Sequence, residues 1–422
     1  MIQIQCTGRA PEDLLTEAAL AIPVGESERG PKLPRWTGSL PEPLRSCLAA
    51  GLASDAFAGK LGQTAVVRSP AGTAILVGAG KRPDLETTRQ VYGHLIQAAV
   101  TAKIKDVAAP LPGGRDARAA AEATAVGAIL ANYQFNTYRT DTAKRPAPVA
   151  SLTLWEPDAR RRRGADRGLD EGRVLAEATT RVRDLVNTPG NDLFPESYAE
   201  IARGWCKEAG VKLQVLTPPE IERAKLGAVM AVGAGSSRKP RFLIATYTGR
   251  KRNPKQTDIV LVGKGVTFDS GGITLKPALD MWEMRGDMMG SAVMLSTICA
   301  AAKLKLPHNL VALMPLVENL PSSTAYRPGD VIRTLSGQTI EIISTDAEGR
   351  LILADALTYA QQYKPQLVVD CATLTGAMAV ALGDVSCGVF TDHDALWRQV
   401  EKASAATGEK AWRMPLFEEY DE

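Results

Sequence analysis

The chain has 422 residues, of which 45% are hydrophobic and 23% are charged, as is usual for a globular protein. Its 50 Lys and Arg exceed its 47 Asp and Glu by only three, which argues against a dedicated nucleic-acid or membrane-surface protein. This composition excludes collagen-like, coiled-coil and disordered chains, and the length suits roughly two or three domains.

The amino terminus lacks the basic start and apolar run of a signal peptide, and acidic residues follow by Glu12. The longest uncharged apolar stretch, 371–383, is shorter than the ~20 residues that span a bilayer. The six cysteines are scattered without a CxxC pair, which is typical of reduced thiols. We therefore expect a soluble cytoplasmic protein with no membrane partner.

The first part of the chain alternates short β-like runs with Ala-rich helical stretches. A buried strand is predicted at Thr73–Gly78 and a helix at Ala117–Tyr133. The segment Trp155–Gly164 then breaks the pattern with a proline, four arginines and a glycine, so we expect a domain boundary there. This boundary divides the sequence into a smaller N-terminal α/β domain at 1–165 and a larger domain at 166–422. The arginines at 160–163 fit either a solvated linker or a nucleic-acid patch.

Beyond this boundary, apolar runs that end in polar motifs alternate with helical patterns. This alternation predicts an α/β domain with a largely parallel sheet flanked by helices, whose sites form at the carboxyl ends of the strands. The predicted helices are 172–186, Ser291–Lys303 and Leu351–Gln362, and the predicted strands are Ile259–Val262, Thr339–Ile343 and Leu367–Val369.

Two segments place charged residues among glycines at the ends of predicted strands. The first runs from Val262 to Gly290 and the second from Ser344 to Leu351. In the second segment Asp346, Glu348 and Arg350 alternate, so an extended backbone would project all three side chains to one side.

Four carboxylates in these segments would repel one another strongly if they converged, and protons or metal cations would have to neutralise them. They are Asp269, Asp287, Asp346 and Glu348. Oxygen ligands suit Mg, Mn or Zn, and their number fits two metals about 3.5–4 Å apart. An ion-pair network with Lys264, Lys276, Arg285 and Arg350 explains the same pattern. The three histidines lie too far apart in sequence for a HExxH site.

These two segments resemble the signature motifs of the leucyl aminopeptidase (cytosol aminopeptidase) family. The run Asp346-Ala-Glu-Gly-Arg-Leu351 matches its most specific signature, and Phe268–Gly272 and Lys276-Pro277 match in order and spacing. The resemblance is strong over 180–422 and weak before it. It implies a smaller N-terminal α/β domain and a larger catalytic α/β domain with a mixed sheet. It also implies a homo-hexamer built as a dimer of trimers, and release of the N-terminal residue, leucine-like or other, from peptides.

The resemblance also implies a role for each matching residue. The implied metal ligands are Lys264, Asp269, Asp287, Asp346 and Glu348; the catalytic pair is Lys276 and Arg350; the substrate pocket is lined by Met284, Thr373 and Gly376. A water bridging two divalent metals (Mn, Zn or Mg) would be the nucleophile. Lys264 would ligate as a neutral amine, Lys276 would stabilise the oxyanion, and Arg350 would hold bicarbonate as the general base.

The family usually continues beyond the position of Glu422, so we expect the natural polypeptide to be longer and the C-terminal end to be incomplete. Two alternatives stay open at this point. A two-metal phosphoesterase would use similar oxygen ligands, and a DNA-binding regulatory role would use basic surface such as Arg160–Arg163, although nucleic acid is not the expected partner.

Overall fold

Strands and helices alternate along the protein, as described by a computed structural model for residues 2–28, 30–53, 57–81, 84–250 and 252–421. The strands are β1 (Gln3–Thr7), β2 (Ala19–Gly25), β3 (Thr64–Ser69), β4 (Gly72–Gly80), β5 (Asp106–Pro110), β6 (Ser151–Trp155), β7 (Lys212–Leu216), β8 (Arg241–Thr248), β9 (Ile259–Gly263), β10 (Gly265–Asp269), β11 (Asn309–Asn319), β12 (Val331–Arg333), β13 (Thr339–Glu341), β14 (Leu367–Cys371), β15 (Cys387–Phe390) and β16 (Ala411–Met414). The α-helices are α1 (Pro11–Leu14), α2 (Glu42–Ala53), α3 (Leu85–Thr101), α4 (Ala117–Asn132), α5 (Ala159–Asn187), α6 (Pro195–Ala209), α7 (Pro218–Arg223), α8 (Gly227–Val232), α9 (Met289–Lys303), α10 (Glu348–Ala360), α11 (Ala377–Leu382) and α12 (Asp394–Thr407).

The chain divides into two units, one comprising residues 1–177 with 376–422 and the other residues 178–375. The first unit contains a six-stranded sheet in the order β1-β6-β5-β2-β4-β3. Its strand pairs are parallel except the antiparallel pair β3–β4. Alternate residues of β4 face opposite cores, because Ala74 and Leu76 pack with α2 while Ile75 and Val77 pack with α3 and α4.

The second unit contains a sheet in the order β14-β9-β11-β8-β7, with β10 also paired to β11. Strands β14, β9, β10 and β11 run parallel, whereas β8 is antiparallel to both β11 and β7. Every residue of β11 is buried, because α6 and α9 cover one face of the sheet and α8 and α10 cover the other. Both sheets are thus mixed and largely parallel, which confirms the sheet predicted for the larger, C-terminal domain.

Most predicted elements are confirmed. The strands predicted at Thr73–Gly78, Ile259–Val262 and Leu367–Val369 lie within β4, β9 and β14. The helices predicted at Ala117–Tyr133, Ser291–Lys303 and Leu351–Gln362 correspond to α4, α9 and α10 within a few residues. Among the described residues, no helix is both long enough and apolar enough to cross a bilayer.

The interpretation of Trp155–Gly164 as an irregular linker is wrong at the level of secondary structure. Helix α5 begins at Ala159 and includes the arginines, because the Asp158 carboxylate accepts the backbone N–H groups of Arg160 and Arg161 at 2.6 and 3.1 Å. The Arg161 side chain also pairs with Glu156 at 2.6 Å. The arginine run is therefore the first part of a helix, and Arg161 within it has a local carboxylate partner.

The strand predicted at Thr339–Ile343 is shorter and lies outside the main sheet. Strand β13 pairs antiparallel with β12 in a separate two-stranded sheet. Thr339 and Glu341 are both exposed, so this strand has one solvated face and does not suit the doubly covered interior of the main sheet.

Candidate active site

A cluster of charged side chains lies where β9, β10 and β11 end in the second unit. Lys264 follows β9 directly, Asp269 ends β10, and α10 begins at Glu348. Asp287 ends a 3₁₀ turn just before α9. The parallel strands therefore bring residues that are distant in sequence to one edge of the sheet, which is where α/β sheets form their sites.

Lys264 lies at the buried end of the cluster. Its Nζ is 2.8 Å from Asp287 Oδ1 and 2.9 Å from Glu348 Oε1, and it donates to the Thr373 carbonyl at 2.9 Å. The side chains of Lys264 and Glu348 are only 3% and 2% exposed. The amine is thus enclosed by acceptors and has no free path to solvent.

Lys276 lies at the more open end of the cluster. Its Nζ is 2.8 Å from Asp269 Oδ2 and also contacts Asp346 Oδ1. Its side chain is 21% exposed and that of Asp346 is 35% exposed, compared with 3% for Asp269. This end of the cluster is therefore accessible to a molecule from solvent.

The donor atoms fit divalent cations. One ligand atom from each of Asp269, Asp346 and Glu348 lies within 4.8 Å of the others. Asp287 Oδ2 and Glu348 Oε2 are buried and have no hydrogen-bond partner among the described residues. This is costly for a carboxylate unless a cation occupies the space beside it. Four carboxylates around two lysines leave an excess of negative charge, and their hard oxygens with an amine suit Mn, Zn or Mg.

The burial of the cluster shifts its acid–base properties. Burial raises the pKa of Asp287 to about 7, although the nearby Lys264 and the Thr373 hydroxyl oppose this. Burial alone would lower the pKa of Lys264, but its attraction to Asp287 and Glu348 outweighs burial and raises it. The pKa of Lys276 is likewise raised, because hydrogen bonds to Asp269 and Asp346 outweigh burial. Without metal, both lysines are held as ammonium groups.

Two backbone features shape this site locally. Gly271 and Gly272 have φ of +86° and +68°, and their tight turn directs the Gly271 N–H to Asp269 Oδ1 at 2.9 Å. Gly349 lies against the Lys264 side chain, where an added Cβ would be 2.6 Å from Lys264 Cε. Because glycine has no side chain, position 349 provides the space that the Lys264 side chain occupies.

The expectation that Asp346, Glu348 and Arg350 project to one side of an extended segment is wrong. Thr345–Ala347 forms a 3₁₀ turn that the Ser344 hydroxyl caps by accepting from Asp346 N at 3.2 Å, and the helix follows at once. Asp346 and Glu348 still converge, but Arg350 is exposed on α10. In the part of the chain that the structure describes, the Arg350 side chain forms no hydrogen bond or ion pair, so its guanidinium is available to an anion.

The three predicted pocket residues have different surroundings. The Thr373 hydroxyl donates to Asp287 Oδ1 at 2.7 Å, so this residue also supports the cluster. Met284 is partly buried and its carbonyl accepts from Asp287 N at 3.2 Å. Gly376 belongs to the other unit.

Sequence reasoning missed two buried residues that support the cluster. Asn319 donates to Asp269 Oδ1 at 2.8 Å, and the Thr345 hydroxyl donates to the Gly271 carbonyl at 2.6 Å. Thr345 is adjacent to the motif at 346–351, and that position is the one signal in the sequence that could have drawn attention to it.

The fold and this cluster define a two-unit α/β protein with a carboxylate-rich cluster that suits divalent metals. The catalytic-domain profile of the Cytosol aminopeptidase family matches residues 180–422, and its N-terminal-domain profile matches residues 23–142. The chain therefore belongs to the cytosol aminopeptidase family, which is dinuclear and metal-dependent. It is a metallo-exopeptidase hydrolase of the leucyl aminopeptidase type, and neither the phosphoesterase nor the DNA-binding alternative is supported.

Curated relatives and solved structures agree with this assignment. The cytosol aminopeptidase of Pseudomonas aeruginosa strain PAO1 is 40% identical over 98% of this chain and 84% of its own length. A probable cytosol aminopeptidase of Syntrophotalea carbinolica is 40% identical over 90% of this chain and 78% of its own length.

Among solved structures, a mutant of tomato leucine aminopeptidase superimposes with a TM-score of 0.86 at 29% identity, covering 100% of this chain and 83% of the tomato chain. The bottromycin maturation enzyme BotP, also solved in complex with Mn, superimposes with a TM-score of 0.81 at 32% identity. That match covers 95% of this chain and 82% of the Mn-bound BotP chain.

Proposed function

We propose that this aminopeptidase holds two divalent metals between its buried and its open carboxylates. The proposed ligands are Lys264, Asp269, Asp287, Asp346 and Glu348. The observation that carries the proposal is the approach of three carboxylate ligand atoms to within 4.8 Å beside two buried carboxylate oxygens that lack partners. When bound, such a pair supplies Lewis acidity and lowers the pKa of water towards neutrality.

Lys264 acts in this proposal as a neutral nitrogen ligand. Its ammonium form is now held by Asp287 and Glu348, so it must release a proton before its nitrogen can bind a cation. The same two carboxylates would then exchange an ion pair with Lys264 for bonds to metal. This exchange keeps the buried end of the cluster close to charge balance.

Lys276 and Arg350 are the proposed catalytic residues. Lys276 remains cationic, because its pKa is raised, and it lies at the open end of the cluster, where it can stabilise a developing oxyanion on the scissile carbonyl. The exposed Arg350 is proposed to hold bicarbonate, a planar anion that suits the planar guanidinium and would serve as the general base. The histidines play no part in this proposal.

Peptides with a free N-terminus are the substrates of the proposed reaction, with leucine-like first residues among those accepted. Met284 and Thr373 of the second unit are proposed to line the pocket for that first side chain. Mn or Zn, and also Mg, are the candidate metals; the Mn complex of BotP supports Mn among them. We further propose a homo-hexamer built as a dimer of trimers. We also propose a cytoplasmic location, which the names of the curated relatives support.

The test is hydrolysis of a panel of aminoacyl amides by metal-free protein with Mn, Zn, Mg or no metal added. Leucine amide should be cleaved only with metal. N-acetyl-leucine amide, which has no free amine, should resist cleavage, and so should a phosphate monoester. Turnover without any metal, or turnover of the phosphate ester in place of the amide, would contradict the proposal.

A further inference from the structure

Asn319 has a buried side-chain amide that contacts two segments of the carboxylate cluster, one at Asp269 and the other at Thr345. It is 1% exposed at the end of β11, where it pairs in register with Asp269 of β10. Its Nδ2 donates to Asp269 Oδ1 at 2.8 Å and to the Thr345 carbonyl at 3.0 Å. Both partners are acceptors only, so the orientation of the amide follows from its surroundings.

Thr345 belongs to the second of the two segments that Asn319 contacts, and it directly precedes Asp346. It is fully buried, and its carbonyl also accepts from the Tyr326 hydroxyl at 2.7 Å. The Thr345 hydroxyl accepts from Thr274 N at 2.8 Å, and Thr345 N donates to the Thr274 hydroxyl at 3.1 Å. The peptide that leads into Asp346 is therefore fixed from several sides.

We infer that Asn319 is a positioning residue, which sets the separation of Asp269 and Asp346 for the binding of divalent cations. One NH₂ group donates to both segments, so a shift of either segment breaks a hydrogen bond. Asn319 offers the cluster two donors and no added charge, whereas an aspartate would lose both donors and repel Asp269. This inference rests on the metal site of the proposed function.

The test compares Asn319→Asp and Asn319→Ala with matched changes at Asn309. Asn309 begins the same strand, is 4% exposed, and donates through Nδ2 to the Asn253 and Gln256 carbonyls at 3.0 and 2.7 Å. It thus reproduces the burial and the two donated bonds at the opposite end of β11. For each variant, the affinity for Mn²⁺ and Zn²⁺ is measured by competition with a chromophoric chelator, and thermal unfolding is measured on metal-free protein.

The Asn319 variants should bind metal about 10–100-fold more weakly than wild type. The Asn309 variants should keep wild-type affinity although their thermal unfolding shifts to a comparable degree. Wild-type affinity in the Asn319 variants would overturn the inference while leaving the metal site intact. A wild-type protein that binds no metal pair would instead refute the proposed site. If neither Asn319 variant folds, Asn319→Ser decides, because its hydroxyl can donate to at most one of the two segments. Weakened metal affinity in this variant supports the inference, and unchanged affinity overturns it.

Discussion

The substitution Gly349→Ala tests the position of Lys264 with a single methyl group. The added Cβ would lie 2.6 Å from Lys264 Cε, 2.8 Å from its Nζ and 2.9 Å from its Cδ. Carbon atoms in contact are normally about 3.5–4.0 Å apart, so the Lys264 side chain must move by about 1 Å. The backbone at 349 needs no change, because the residue lies in the first turn of α10.

We expect Gly349→Ala to lower catalytic activity more than it lowers thermal stability. Ala favours a helix over Gly by roughly 0.5–1 kcal/mol, and this gain offsets part of the cost of moving one flexible side chain. A displacement of about 1 Å at a reacting centre can cost about 100-fold in rate, which corresponds to about 2.7 kcal/mol of activation free energy. We therefore expect kcat/KM to fall about 100-fold with a small change in Tm.

The assay measures leucine amide hydrolysis, metal affinity and thermal unfolding side by side. Gly204→Ala is the matched control, because Gly204 is also helical and an added Cβ there meets nothing within 4 Å. The control should keep wild-type kcat/KM and gain slightly in Tm. If Gly349→Ala retains both wild-type turnover and wild-type metal affinity, Lys264 is not held in the geometry described, and its role as a ligand is wrong.

Three further substitutions separate the roles within the cluster. Asp346→Ala should lower metal content and activity together, and a variant that keeps two metals with normal turnover would remove Asp346 from the ligand set. Lys276→Met should preserve metal content but lower kcat by about 10²–10³-fold, as loss of an oxyanion donor does; activity that instead tracks metal occupancy would make Lys276 part of the metal site. Arg350→Ala should lower kcat and abolish any stimulation by added bicarbonate, and retained stimulation would exclude Arg350 as the anion site.

The sequence predicts those parts of the fold and site that leave a local pattern. The charged motif at 346–351 and the glycines at 271–272 can be recognised in the sequence, because the residues of each motif are neighbours along the chain. Asn319 is not visible in this way, since its partner Asp269 lies 50 residues away and no periodic pattern marks an interior hydrogen bond. The sequence pattern does not predict the start of α5 for a different reason. The capping by Asp158 outweighs the nearby proline and glycine, which disfavour a helix.

The secondary structure around Asp346 also differs from the one that the sequence pattern predicts. Alternating charges predict an extended segment, but the Ser344 cap and the apolar run that follows 350 favour a helix start at Glu348. The convergence of Asp346 and Glu348 therefore arises from a turn, and Arg350 points into solvent for the same reason. The local sequence pattern identifies these charged residues, whereas the folded structure determines where their side chains point.

The most direct test of the two-metal site is a titration of metal-free protein with Mn²⁺, with leucine amide hydrolysis followed at each step. Bound metal per chain is measured in parallel by elemental mass spectrometry. Activity should rise to a plateau at two bound metals per chain, and Asp346→Ala protein should not reach that plateau. Full activity at one metal per chain, or full activity before any metal is added, would contradict the proposed site.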